Sequence, residues 1–162
     1  MSEMRRPEQT PSPQSPFPGK RSRSSILEID SSMPSKIQAI SPLVDRLMRL
    51  IEGSQCVPGG GVELALREAL ENAVVYGNQE NPERKVRIRW SCQPGNEISI
   101  VVTDQGKGFD FETIGRKGIT SGPDPEHGRG LQLMKAYMDD VHFERGGSEV
   151  HMRKRPRTTS HS

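Results

Sequence analysis

Two neighbouring segments constrain the fold more than any others. Lys85-Val86-Arg87-Ile88-Arg89-Trp90 alternates charged and apolar residues, and Ile98-Ser99-Ile100-Val101-Val102 follows it after Pro94-Gly95-Asn96. Alternation with period two describes a strand with one wet and one buried face. The intervening turn residues make the pair an antiparallel hairpin.

The segments on either side of the hairpin supply helices. Ile37, Ile40, Leu43, Leu47 and Leu50 recur at helical spacing. This first helix is expected to start near Ser35 or near Ser41, the second option placing Pro42 at the first helical position, where its missing N–H costs nothing. Gly59-Gly60-Gly61 interrupts the chain. A second helix is expected over Val62 to Tyr76, with Val62, Leu66, Ala69, Leu70 and Ala73 available for packing and Gly77 as its C-cap. A short strand at Ile26 to Ile29 precedes these helices. A helix at Leu131 to Met138 follows the hairpin, and Val141 to Arg145 pairs with Ser148 to Arg153 around Gly146-Gly147. The order β, α, α, β, β, α, β, β implies an α+β fold: a two-layer α/β sandwich with a mainly antiparallel mixed sheet covered on one face by helices.

The 162 residues suit one small domain, and 31% hydrophobic content leaves polar flanks outside it. We divide the chain into a basic Pro/Ser-rich arm over residues 1–25, a folded domain over 26–153 and a basic tail over 154–162. The arm combines Pro7, Pro11, Pro13, Pro16 and Pro18 with many serines, which bury too little apolar surface to offset ordering entropy. Arm and tail residues carry most of the basic excess, so residues 26–152 hold 14 basic against 19 acidic residues. An acidic core with few aromatics argues against a nucleic-acid surface, although the basic ends could attract phosphate charge. No apolar run approaches membrane-spanning length or resembles a secretory leader, so a cytoplasmic protein is expected. Cys56 and Cys92 show neither CxxC nor paired-His spacing and are expected to be reduced thiols without a role.

Three segments carry chemistry. Glu68 and Asn72 stand four residues apart, on one face of the second helix. Mg²⁺ prefers oxygen ligands, and the Asn72 amide can supply one. Glu68, one turn earlier, can orient or deprotonate an attacking hydroxyl. Glu71 is turned away and suits pairing with Arg67. Asp104, at a strand end, can accept from an exocyclic amine, and Gly106 and Gly108 let backbone approach a flat ring. Lys107 between them reads as solvated. Gly128-Arg129-Gly130 stands just before the expected third helix, where free N–H groups bind phosphate. Each segment alone is more often an ordinary amphipathic helix, an exposed turn or a glycine that starts a helix. All three in this order describe a nucleotide site.

On these residues the sequence resembles the GHKL (Bergerat, histidine-kinase-like) ATPase superfamily: Glu68-Ala-Leu-Glu-Asn72-Ala73 is similar to its N box, Asp104-x-Gly106-x-Gly108 to its adenine box, and Gly128-x-Gly130-Leu131 to its second glycine box. Within it, Gly128 to Met134 followed by Met138-Asp139-Asp140-Val141 resembles the anti-sigma factor serine-protein kinases. The resemblance implies Glu68 as general base, Asn72 as Mg²⁺ ligand, Asp104 as adenine reader, and Gly106, Gly108, Gly128, Arg129, Gly130 and Leu131 as further nucleotide contacts. Residues 109–127 would be a short ATP lid. It further implies ATP and Mg²⁺ as cofactors, phosphorylation of a serine on an anti-sigma-factor antagonist of STAS type, sequestration of a sigma factor, and a homodimer formed through the first helix. An arginine that some members carry early in that helix is absent, since Gln38 to Ser41 occupy its place and the arginines come later, at Arg46 and Arg49. Two alternatives stand beside this reading: a non-catalytic ATP-binding partner switch, and the ATPase part of a sensor histidine kinase. The second would need a preceding phosphoacceptor histidine, whereas all four histidines follow Asp104.

Overall fold

The computed structural model describes residues 26–54, 56, 60–93, 95, 97–108 and 125–156. The arm 1–25, Gly59, Pro94 and Asn96 of the hairpin turn, the lid segment 109–124 and the end of the tail lie outside the described residues. The elements are β1 (Leu27–Pro34), α1 (Ile40–Glu52), α2 (Val62–Asn72), β2 (Lys85–Cys92), β3 (Ile98–Thr103), α3 (Pro125–Tyr137), β4 (Asp140–Glu144) and β5 (Glu149–Lys154). The strands form one sheet in the order β1-β2-β3-β5-β4. Every pairing is antiparallel.

The alternation of β2 sets the layers. Val86, Ile88, Trp90 and Cys92 are buried while Lys85, Arg87 and Arg89 are exposed. Register carries the buried set across the sheet: Met33 faces Val86, Ile88 faces Val102, Trp90 faces Ile100, and Val102 and Ile100 face Val150 and Met152. Val44, Leu47 and Ile51 of α1, Leu66 and Leu70 of α2, and Met134 of α3 complete the core. Burying one such side chain contributes about 1.5–3 kcal/mol, so helices gathered on one face hold the sheet. This is the expected two-layer α+β sandwich.

Several boundaries differ from expectation. β1 runs to Pro34, well past Ile29, because Ser31 and Ser32 continue the ladder opposite Ile88 and Arg87. α1 begins at Ile40 after a 3₁₀ turn over Ile37–Ala39. Pro42 is therefore its third residue, still within the turn whose N–H groups lack intrahelical acceptors. α2 does not stay α-helical to Tyr76: Ala73–Gly77 form a π-helical turn, with Asn78 N–H donating to the Ala73 carbonyl at 2.8 Å. Gly77 is thus not a left-handed C-cap. Arg67 does not pair with Glu71; it reaches Glu63 at 2.9 Å and Asp45 at 3.2 Å, which ties α2 to α1.

The cysteines require a larger correction. Cys56 and Cys92 form a disulfide. They are 36 residues apart in sequence, and only the sheet register brings the end of β2 beneath the α1–α2 connection. In a chain-entropy account, closing such a loop is worth roughly 4 kcal/mol. No helix among the described residues is long and apolar enough to cross a membrane.

Candidate nucleotide site

The pocket lies between α2, the ends of β3 and β5, and α3. Ala69, Asn72, Ala73, Val102, Asp104, Met134 and Ser148 are among its lining residues. β3 delivers Asp104 to it, and the Asp104 N–H donates to the Ser148 carbonyl at 2.9 Å, extending the β3–β5 ladder by one bond. The carboxylate is buried at 8% exposure and accepts the Gly106 N–H on Oδ1 at 2.8 Å. Burial raises its pKa above the usual aspartate value, opposed by the Gly106 N–H and by Arg84.

Two glycines make room for this carboxylate. A Cβ on Gly77 would stand 2.2 Å from Asp104 Oδ2, and one on Gly106 would stand 2.0 Å from the Gly77 carbonyl oxygen. The π-turn brings Gly77 to this place, because a fifth residue in the turn shifts the helix end relative to an α-helical path. Asn78 then locks the junction. Its Nδ2 donates to Ser35 Oγ at 2.6 Å and to the Lys85 carbonyl at 3.0 Å, and its Oδ1 accepts the Gln105 N–H at 2.8 Å. Gln105 Oε1 in turn accepts the Lys85 N–H at 2.7 Å. Gly108 has φ +75° and lies against the Gly146 carbonyl, where a Cβ would approach to 2.0 Å. Lys107 is exposed.

Glu68 and Asn72 share one face of α2, as their spacing requires, and that face meets α3 at Gly130. A Cβ on Gly130 would be 2.8 Å from Glu68 Oε2 and 3.5 Å from Asn72 Nδ2. Asn72 is buried, and its Nδ2 has no hydrogen-bond partner among the described residues. An orphaned buried N–H donor costs about 1–3 kcal/mol; Trp90 Nε1, in the core, is the other such atom among the described residues. Burial raises the Glu68 pKa, helped by the neighbouring Glu71 carboxylate. Leu131 is buried and Arg129 exposed.

The glycine segment sits differently from expectation. α3 starts at Pro125 rather than Leu131, so Gly128-Arg129-Gly130 lies inside the helix and not ahead of it. Pro125 is pre-set for a first helical position. Arg129 and Gly130 fall in the second turn, where backbone N–H groups go to carbonyls one turn back. In this conformation Gly130 serves the close approach of α3 to α2. The sequence reading missed Gly77 and Asn78, together with Ser35 and Gln105; the Gly-Asn pair closing the second helix is the signal that could have found them.

Asn72 Oδ1 offers an oxygen donor of the kind Mg²⁺ prefers, and the Asn72 side chain lines the same pocket as Asp104. The donor types suit a Mg-nucleotide, while the space enclosed between them is about 10 Å³, so α3 has to move away from α2 for a nucleotide to enter.

Comparison with known proteins agrees with this geometry. The family described as "Histidine kinase-like ATPase domain" matches residues 34–154. The "Anti-sigma F factor" of Heyndrickxia coagulans is 33% identical over 86 residues, which is 52% of this chain and 58% of that protein. The "Anti-sigma F factor" of Bacillus subtilis (strain 168) is 31% identical over 85 residues, 51% of this chain and 58% of that protein. The "Serine-protein kinase RsbW" of Oceanobacillus iheyensis is 31% identical over 86 residues, 49% of this chain and 54% of that protein. The chain thus spans a little over half the length of these relatives. With the fold, the pocket and the match over 34–154 in agreement, the chain belongs to the histidine kinase-like ATPase domain family.

Proposed function

We propose that the protein binds Mg-ATP in the pocket between Asp104 and Asn72 and transfers the terminal phosphoryl group to a serine of an anti-sigma-factor antagonist. In the same reading it sequesters a sigma factor, acts in the cytoplasm and forms a homodimer. The observation that carries the ATP part is the convergence, in one pocket, of the Asp104 carboxylate seated on Gly77 and Gly106 and the unpartnered Asn72 amide. The names of the relatives support the regulatory part.

Asp104 would accept a hydrogen bond from the adenine exocyclic amine, with its carboxylate positioned by the close packing of Gly77 and Gly106 and with Gly108 packed on the Gly146 carbonyl. Asn72 would hold Mg²⁺, which would supply charge neutralisation to the phosphates. Glu68, whose burial raises its pKa, takes the proton of the attacking serine hydroxyl. Contacts from Gly128, Arg129, Gly130 and Leu131 to phosphate require the first turns of α3 to open and release N–H groups.

Titration calorimetry with Mg-ATP and a phosphoryl-transfer assay with antagonist co-purified from the native cells test this. Glu68→Ala should keep nucleotide binding and lose transfer by about 100-fold or more. Asn72→Ala and Asp104→Ala should lose Mg-ATP binding, and unaltered affinity in both would remove the site. Wild-type binding without transfer to any co-purified partner would favour the passive switch.

A further inference from the structure

The sheet face opposite the helices carries a second constellation. His142 on β4 and His151 on β5 are directly paired across the ladder, and Glu144 pairs with Glu149 one step further along the same face. The two imidazole rings stack with centroids 4.8 Å apart and planes within 12°. Glu144 bridges them: its Oε1 lies 3.3 Å from His142 Nε2, and its Oε2 lies 3.3 Å from His151 Nε2. Glu149 Oε1 approaches His151 Nε2 to 2.7 Å, and Asp140 Oδ2 stands 3.6 Å from His142 Nδ1. One donor atom from each of His142, Glu144 and His151 lies within 4.8 Å of the others.

We propose that His142, Glu144 and His151 form a three-residue binding site for a divalent transition metal of the zinc class, with the fourth position left to solvent. Bonds of about 2.0–2.1 Å in tetrahedral geometry place donors about 3.4 Å apart, close to the 3.3 Å from Glu144 to each imidazole, and one of the two stacked rings has to turn out of the stack to aim both lone pairs at one ion. Two imidazole nitrogens with carboxylate oxygens select Zn²⁺, Cu²⁺ or Ni²⁺ over Mg²⁺, which wants oxygen alone. The surroundings supply the outer support such sites use. Thr103 Oγ1 donates to Glu149 Oε2 at 2.9 Å, and Arg145 Nε stands 3.8 Å from the same oxygen. Glu149 is thereby fixed, with a side chain only 8% exposed, whereas Glu144 is 53% exposed and free to swing onto a metal.

A metal here would clamp the β4–β5 hairpin on the face away from the Asn72 pocket. The hairpin turn Arg145–Gly147 touches Gly108 from the other side. The site therefore borders the nucleotide loop without sharing a ligand with it.

The test uses the full, untagged chain stripped with chelator. Zn²⁺ titrated against a competing indicator should show one tight equivalent and raise the Tm, and Co²⁺ should give the visible absorption of a tetrahedral site. His151→Ala and Glu144→Gln should each weaken Zn²⁺ binding by about tenfold or more while far-ultraviolet circular dichroism and Mg-ATP affinity stay unchanged. The Glu144→Gln variant, at an exposed position, keeps the test valid if His151→Ala folds poorly. Absence of a Zn²⁺ equivalent in the wild type, or equal Zn²⁺ affinity in wild type and Glu144→Gln, would overturn the proposal and leave a plain network of ion pairs.

Discussion

Around Asp104 the backbone and side chains are tied into one network, from Ser35 through Asn78 and Gln105 to Lys85. At the other end of the same pocket Asn72 keeps an unpartnered Nδ2, and the helix facing it starts on a segment with two glycines within three residues. On the proposed reading, the contrast matches what each end would hold. A flat base has one shape and suits a rigid seat, so hydrogen-bonding groups can be committed to the protein itself. Phosphates and a metal arrive and leave with several waters, so groups there must stay available, and the apo protein carries the cost of the orphaned amide. The pre-formed end supplies orientation; the open end supplies response.

Substitution at the rigid end should have the largest effects. Gly77→Ala forces a methyl into the Asp104 carboxylate, with Gly106 pressing on the Gly77 carbonyl from the other side. Overpacking of this kind costs about 1–3 kcal/mol, and it displaces the carboxylate as well. Urea denaturation should show that loss of stability, and calorimetry should show no Mg-ATP binding. Wild-type affinity in this variant would mean that Asp104 does not read the ligand.

Asn78→Ala should follow. It removes two donated bonds and one accepted bond and leaves the Gln105 N–H and the Lys85 carbonyl short of partners. About 2–3 kcal/mol of stability should go, since buried groups left unpaired dominate such losses. Nucleotide affinity should fall less than in Gly77→Ala because the pocket wall itself is intact. A change confined to affinity, with no loss of stability, would contradict the network.

The rigid end was harder to read in the sequence than the open one. Asp104, Glu68 and Asn72 were legible because one sits at the end of an alternating strand and two share a helical face, both local properties. The layers were legible for the same reason, from Val86, Ile88 and Trp90 alone. Gly77 and Asn78 were not: a π-turn has no periodic signature, and the partners of Asn78 lie 43 and 27 residues away at Ser35 and Gln105. The Cys56–Cys92 bond was hidden likewise, being set by sheet register. The start of α3 was missed because glycines argued against a helix that Pro125 begins, while the place of Gly130 beside Glu68 on α2 depends on tertiary packing that local pattern does not show.

At the open end effects should be smaller and of opposite sign for stability and binding. Gly130→Ala adds helix propensity of up to about 1 kcal/mol. Its methyl meets Glu68 Oε2, the far end of a flexible side chain that can turn aside. Stability should hold or rise slightly, while Mg-ATP affinity falls because α3 resists opening. If affinity is unchanged, phosphate binding does not require those turns to unwind.

The smallest stability effect should come from Asp104→Asn, and its pH dependence separates seat from ligand reader. Burial raises the Asp104 pKa in the folded protein above its unfolded value. For a raised carboxyl the contribution to stability is fully present below the unfolded pKa and is lost as pH rises through the folded one. Where Asp104 is ionised in the folded protein it is therefore a net burden on folding. Asparagine can keep the Gly106 N–H through Oδ1 but cannot ionise, and it places a donor where wild type has a second acceptor. The variant should melt above wild type at about pH 7, with the difference shrinking as pH falls through the folded pKa and levelling off only below the ordinary aspartate value of about 3.9. Mg-ATP binding should be lost at both. A Tm difference that does not change with pH would mean that burial of the charge is not what strains this position, and the rigid end would then owe nothing to its ligand.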